Sequence, residues 1–152
     1  MRDKKSKDCW QSFPRSTPRN IKFEVRNLDK IYGKDYVYEA PDGSRIIKFQ
    51  DVRYGGLCHA IFPPQSIAKS QKHKTVDEIW YCIQGNGKIW IKKGKTEKIS
   101  KIKAKDGFNI PSGTHFQVRN DSKEPLIFVI ATMPPWPGVS EAIRVVDHWK
   151  RN

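Results

Sequence analysis

From about residue 21 onward, apolar and polar residues alternate in short runs, and nearly every run is closed by glycine, proline, asparagine or aspartate. IKFEVRNL alternates, and APDGS (Ala40 to Ser44) carries a Pro-Asp-Gly turn. SRIIKFQDV and GLCHAIF are strand-like, and PPQS stops them. DEIWYCIQ reads as a strand, GNG as a tight turn and KIWIKK as another strand. GKTEKIS turns the chain into KIKAKDGFNI. IPSG precedes the strand HFQVRN, and DSKEP precedes LIFVIATM, which is apolar throughout. No sustained helical period occurs before SEAIRVVDHWK at the end, which fits either a strand or a short helix. Many short strands at regular spacing, separated by Gly and Pro turns, predict an all-β sandwich or barrel. Closure into a barrel removes exposed sheet edges.

Residues 1–20 have a different texture. They are polar, basic and interrupted by Pro14 and Pro18, and they read as an arm, either disordered or draped over the body. Trp10 and Phe13 favour docking, on the barrel or on a partner subunit. Residues 21–152 are then one domain, which suits a chain of 152 residues.

Composition narrows the class. There is no apolar run of the roughly eighteen residues that a membrane helix needs, so a membrane partner is not expected. The basic N-terminus has no apolar stretch behind it and does not read as a secretory signal. Cys9, Cys58 and Cys82 are an odd set without CxxC spacing, which points to a reducing, cytoplasmic setting. Cys82, inside a strand pattern, reads as a small buried apolar residue. The net charge of +13 favours polyanions in general. The lysines, however, are spread along the chain and alternate with apolar residues, as on a solvated strand face. No recognition helix, zinc finger or RNP-like pattern accompanies them, so nucleic acid is not the expected partner.

Candidate chemistry sits in two blocks. The first is Gln71-x-His73-x4-Glu78-x6-Gly85, and the second is Gly107-x3-Pro111-x-Gly113-x2-Phe116-x3-Asn120. The pair resembles the two sequence motifs of the cupin superfamily, G-x5-H-x-H-x(3,4)-E-x6-G and G-x5-P-x-G-x2-H-x3-N. The APDGS turn, the H-x-T-V-x-E-x-W-Y run, GTHFQ-R and TMPPWPG (Thr132 to Gly138) further resemble small single-domain cupins of the mannose-6-phosphate-isomerase-like group. The resemblance spans roughly residues 36 to 149. It implies a cupin-type jelly-roll β-barrel (double-stranded β-helix) of about six to eight strands, usually dimeric.

In metal-binding cupins, two histidines and a glutamate of the first motif and a histidine of the second hold the ion. Carried over, these positions fall on Gln71, His73, Glu78 and Phe116. The resemblance therefore implies His73, Glu78 and Gln71 as ligands of one divalent ion (iron, nickel, manganese or zinc) in a degenerate site. Gln71 offers only an amide oxygen, and Phe116 offers nothing.

Side-chain alternation gives an independent view of the second motif. In HFQVRN the apolar set is Phe116 and Val118, and the polar set is His115, Gln117 and Arg119. This places Phe116 inside and His115 outside, unless a bulge at Pro111-Ser112-Gly113 re-aims the histidine. In DEIWYCIQ, an inward Glu78 brings Trp80 and Cys82 in with it. Ile79, Tyr81 and Ile83 then form an apolar outer face that a second subunit or the N-terminal segment must cover. An inward Glu78 without a metal must be paired or protonated, and His73 is the natural partner. His59 on GLCHAIF is a further candidate, as a replacement ligand or a general base beside Glu78. His148 reads as a surface residue. Trp136, in a proline-rich segment that cannot be a central strand, is a hydrophobic plug or a stacking platform. Trp90, alternating with lysines, reads as outward, under the N-terminal arm.

Three functional classes remain open. One is a cupin binding a small polar or anionic metabolite such as a sugar, with Trp80, Phe116 and Trp136 lining the site. A second is a metal-dependent isomerase- or dioxygenase-type enzyme, with Glu78 or His59 moving protons. The third is a basic module for nucleic acid or an acidic partner. No G-x-S-x-G, P-loop or dinucleotide fingerprint is present.

Overall fold

A computed structural model of the chain describes residues 23–28, 37–40 and 42–151. The expected basic arm, with Cys9, Trp10 and Phe13, lies outside these residues.

Among the described residues, twelve strands follow one another with one 3-10 turn near the end. They are β1 (Val37–Glu39), β2 (Arg45–Val52), β3 (Gly55–Phe62), β4 (Ser66–Ile67), β5 (Gln71–His73) and β6 (Asp77–Gln84). Then come β7 (Asn86–Lys93), β8 (Thr96–Lys103), β9 (Gly107–Ile110), β10 (His115–Asn120), β11 (Leu126–Met133), the 3-10 turn Val139–Glu141 and β12 (Ala142–Arg144). One sheet has the order β1-β2-β3-β11-β6-β9, and the facing sheet β12-β5-β10-β7-β8, with β4 added at β10. All pairings are antiparallel. The two sheets form the jelly roll that the resemblance implies.

β11 explains why LIFVIATM is apolar throughout. It lies between β3 and β6 in mid-sheet, and along it buried side chains alternate with half-buried ones up to Thr132, so neither face is open to solvent. β6 shows the opposite pattern, alternating strictly between buried and exposed. Glu78, Trp80 and Cys82 are buried, while Ile79, Tyr81 and Ile83 stand 54%, 48% and 43% exposed. The turn that follows requires glycine. Gly85 has φ +84°, and a Cβ there would meet the carbonyl oxygen of Pro125 at 2.4 Å.

The inner faces of the sheets enclose an aromatic core. The Trp80 ring stacks on Phe62 (centroids 6.0 Å apart) and meets Phe128 and Phe116 edge-on at 5.0 and 5.8 Å. Such offset and edge-to-face pairs are the favoured aromatic geometries.

Two sequence expectations change, and the C-terminal reading becomes definite. Residues 23–28 of IKFEVRNL are not a strand. Phe23 and Val25 are exposed there, and the segment is held to β2 by Arg26 donating to the Phe49 carbonyl and Gln50 donating to the Glu24 carbonyl. TEKIS is not part of a turn but the start of β8, which pairs with β7 from Lys93↔Thr96 onward, so only Gly94 and Lys95 turn. β8 is almost wholly solvated, which leaves no apolar alternation to read. SEAIRVVDHWK forms the 3-10 turn and β12, then runs on without regular structure over the outer face of the second sheet. There it covers Trp90, whose ring stacks on His148 at 5.1 Å and whose indole N–H donates to Glu97 at 2.7 Å. Among the described residues the cover on Trp90 is therefore the C-terminal segment.

The same segment explains Gln117. Its side chain lies on the outward parity of β10 yet is fully buried. It donates to the Ala68 and Trp149 carbonyls at 2.9 and 3.0 Å, and accepts from the Trp149 N–H at 2.8 Å. No helix among the described residues is long and apolar enough to cross a membrane.

Candidate functional site: a polar cavity inside the barrel

β5 and β6 are joined by three residues, Lys74 to Val76, and this short link holds His73 and Glu78 together. The link is clamped by Glu141, a buried carboxylate from the 3-10 turn. Glu141 accepts from the backbone N–H groups of Thr75 and Val76 (2.7 Å for Val76) and from the Thr75 hydroxyl at 3.0 Å. On the other side, the Gly113 N–H donates to the His73 carbonyl at 2.8 Å. His73 thus sits between two fixed points, both supplied by later parts of the chain.

Within this frame, His73 Nδ1 stands 3.7 Å from Glu78 Oε2, and the indole N–H of Trp80 donates to that same oxygen at 2.7 Å. Both side chains are buried, and burial sets their protonation. Desolvation pushes the Glu78 carboxyl up to about 8, against the lowering effect of the Trp80 hydrogen bond. It pulls the His73 imidazole down to about 4. Transferring two separated charges into this dry site costs more than their mutual attraction returns, so the pair is a neutral acid beside a neutral imidazole near pH 7.

The pair opens on a cavity of about 60 Å³. Gln71, Trp80, Trp136 and Thr132 share its wall with His73 and Glu78. The Trp136 ring stands edge-on to His73 at 4.8 Å, so the proline-rich segment supplies part of the wall. The APDGS turn contributes Ala40, Asp42 and Ser44. Asp42 accepts from the backbone N–H and hydroxyl of Ser44 at 2.9 and 2.6 Å, and burial raises its carboxyl above the usual range. β2 contributes Lys48 and, across its bulge, Asp51, which form a half-buried ion pair. Burial lowers the Lys48 ammonium. Cys58 and Ala60 of β3 complete this side, and burial raises the Cys58 thiol.

The sequence-derived candidates separate cleanly. His73, Glu78, Gln71, Trp80 and Trp136 all line one cavity. Phe116 is buried in the interior with its ring 5.3 Å from His73, whereas His115 lies in an outer groove with Trp90, Lys92 and His148. Strand parity, with no bulge to re-aim the histidine, accounts for both. His59 departs from its expected role. Its neighbours Cys58 and Ala60 take the inward parity, so His59 lies on the opposite face of β3, opposite Ile47 and Val129 and with its ring 6.5 Å from Phe49. It is therefore away from Glu78's cavity, neither ligand nor base there. Asp42, Lys48, Asp51 and Cys58 were not singled out from the sequence. Lys48 and Asp51 lie three apart, which would put them on opposite faces of a regular strand, and only the bulge in β2 brings both to one side.

Asn120, the last position of the second motif, is structural. Its amide donates to the Pro63 and Glu124 carbonyls at 3.1 and 2.8 Å and accepts from Ser122.

A divalent ion fits these residues poorly. His73 supplies one nitrogen and Gln71 a neutral amide oxygen, while Phe116 fills the fourth position with a ring. The Trp80 N–H already occupies the Glu78 oxygen nearest His73. Among the described residues, no three His, Cys, Asp or Glu side chains converge as a metal site requires.

Comparison with known proteins agrees with the fold. The family described as "Cupin domain" matches residues 58–132, which include both motifs. An uncharacterized protein of Methanocaldococcus jannaschii, MJ1618, is 30% identical over 110 residues, covering 69% of this chain and 85% of that protein. Among solved structures, a conserved protein with a double-stranded β-helix domain from Klebsiella pneumoniae superposes with TM-score 0.60 at 17% identity, over 83% of this chain and all of the other. A predicted oxalate decarboxylase from Thermotoga maritima gives TM-score 0.52 at 21% identity, over 60% of this chain and 80% of the other. On its motifs, its double-stranded β-helix and these relatives, the chain belongs to the cupin superfamily.

Proposed function

We propose that this chain binds a small polar metabolite in the barrel cavity, using His73, Glu78 and Gln71 as a metal-free polar anchor. One observation carries the reading: Gln71 and His73 line the same cavity, and their buried Oε1 and Nδ1 have no hydrogen-bond partner among the described residues. Buried polar groups are normally satisfied, so two orphans in one cavity mark a place built for a ligand. Trp80 and Trp136 supply flat apolar wall beside them. The finer resemblance to the mannose-6-phosphate-isomerase-like group supports a sugar-like metabolite.

A second reading adds proton transfer on the bound ligand. It is favoured by the protonated Glu78 carboxyl next to an unprotonated ring nitrogen, an acid and a base 3.7 Å apart. An acid that titrates near working pH is suited to general acid–base work. The reading extends to a cytoplasmic homodimer, whose second subunit covers Ile79, Tyr81 and Ile83.

A library of small polar metabolites, screened by thermal shift against the parent and His73→Ala, tests the anchor. The expected result is a set of hits whose stabilisation disappears in the variant. Hits unaffected by His73→Ala, or no hits, would contradict it.

A further inference from the structure

The surface of this protein is strongly basic, whereas the cavity wall offers a single ammonium that is already ion-paired, and that contrast narrows the ligand. The chain is +13 overall, but lysines such as Lys88, Lys92, Lys98 and Lys101 sit on β7 and β8, on the far sheet. Among the described residues the cavity wall carries three carboxyl groups, Asp42, Asp51 and Glu78, against one ammonium, Lys48. Lys48 is engaged by Asp51. An incoming carboxylate or phosphate would meet an acid-rich wall whose one cation already has a counter-ion.

The unsatisfied atoms point the same way. Asp51 Oδ1 is buried without a hydrogen-bond partner among the described residues, and Asp51 lines the same cavity as Gln71 and His73, whose Oε1 and Nδ1 are likewise unsatisfied. Two of these three atoms are obligate acceptors. The ring nitrogen accepts or donates according to its tautomer. A hydroxyl group serves every one of them, since it donates to the oxygens and suits either tautomer. An anion's oxygens serve neither Asp51 nor Gln71. Around these atoms, Ile46, Ile130 and the indoles of Trp80 and Trp136 form apolar wall that suits the C–H faces of a polyol or sugar.

We infer that the ligand is a neutral polyhydroxylated molecule, a polyol or an uncharged sugar, whose hydroxyls donate to Asp51 Oδ1 and Gln71 Oε1 and pair with His73 Nδ1. This rests on the cavity being the binding site, and it makes the charge on the surface irrelevant to ligand choice.

The test is isothermal titration calorimetry of the full chain at pH 7 with matched series. The neutral members are pentitols, hexitols, aldopentoses and aldohexoses, and the charged members are their aldonates and phosphate esters. The expected result is that at least one neutral member binds, at least tenfold more tightly than its charged counterparts. Gln71→Leu and Asp51→Asn should each weaken that binding at least tenfold while thermal unfolding shows both variants folded. Tighter binding of an aldonate or phosphate ester, lost in Gln71→Leu, would overturn the neutral-ligand inference and leave the cavity reading standing. Neutral binding that survives both substitutions would place the ligand elsewhere and overturn both. If no member of either series binds, the inference fails, and the metabolite screen above decides the cavity reading separately.

Discussion

His73 and Glu78 meet at 3.7 Å inside the barrel, yet they are not a salt bridge. Burial raises the acid and lowers the base until the proton stays on the carboxyl. The neutral pair keeps hydrogen-bonding capacity without the cost of two buried charges. A carboxyl that stays protonated at neutral pH also makes a poor metal ligand, because binding an ion would first require its proton to leave.

The pair gives stability a characteristic pH dependence. Glu78 binds its proton more tightly folded than unfolded, so its contribution is full below about 4.5 and is lost as pH rises toward about 8. His73 binds its proton less tightly folded, so its contribution is present above about 6.5 and is lost as pH falls toward about 4. Between 4.5 and 6.5 the two slopes oppose each other, and between 6.5 and 8 the Glu78 slope stands alone. Urea denaturation at pH 6.5 and 8.5 should show the parent losing more stability than Glu78→Gln over this interval. Parallel losses would contradict the raised carboxyl.

Trp80 serves both the core and the site. Trp80→Phe keeps much of the aromatic packing but leaves Glu78 Oε2 without its 2.7 Å donor. Leaving a buried acceptor unsatisfied costs about 1–3 kcal/mol. Chemical denaturation should report a loss of that order, with the fold retained by circular dichroism.

Glu141 holds the link between the two site residues from a distance. Glu141→Ala removes the acceptor for two backbone N–H groups at Thr75 and Val76. Roughly 2–4 kcal/mol of destabilisation is expected, since charge-assisted hydrogen bonds are worth about 1.5–3 kcal/mol each and are not additive. Any ligand found for the cavity should bind more weakly to this variant even at temperatures where it is fully folded. Unchanged affinity would show that the clamp does not position His73.

The missing metal ligands can be restored. Gln71 and Phe116 pair directly across β5 and β10, and the Phe116 ring lies 5.3 Å from His73. The double variant Gln71→His/Phe116→His would supply three imidazoles and a carboxylate around one point. Elemental analysis should find at least tenfold more tightly retained divalent metal in it than in the parent. Equal metal content in both would contradict the reading of Phe116 as the residue that closes the metal position.

The outer stripe of β6 makes a separate expectation. Ile79, Tyr81 and Ile83 are about half exposed on one face, an arrangement that favours self-association. Light scattering should report a dimer, and Tyr81→Lys should shift it toward monomer. A monomeric parent at micromolar concentration would contradict the homodimer.

Much of the barrel was legible because its strands obey a period of two. HFQVRN and DEIWYCIQ each have one apolar or functional set per face, so parity alone placed Phe116 inward, His115 outward and Glu78 beside Trp80. β8 was missed because in TEKISKIK only Ile102 is buried, so no run of apolar alternation marks the strand. His59 was misplaced because GLCHAIF is largely apolar on both faces, and only the pairing with β2 and β11 reveals which side meets the cavity. Gln117 was read correctly as outward, but its burial comes from the C-terminal segment, a contact some thirty residues away that no local pattern announces. Asp42, Lys48 and Asp51 join the site only through the closure of the sheet. The motif residues are local in sequence, whereas these belong to the opposite wall.

The most direct test is the titration of one carboxyl. With ¹³C-labelled glutamate and Glu78→Gln for assignment, the Glu78 resonance can be followed from pH 4 to 10. A midpoint near 8 is the predicted result, and it would establish a neutral acid facing a neutral His73 in the cavity at physiological pH. A midpoint near the ordinary 4.5 would contradict it. Glu78 would then be an ionised carboxylate at pH 7, and the neutral-pair account of the metal-free anchor would have to be abandoned.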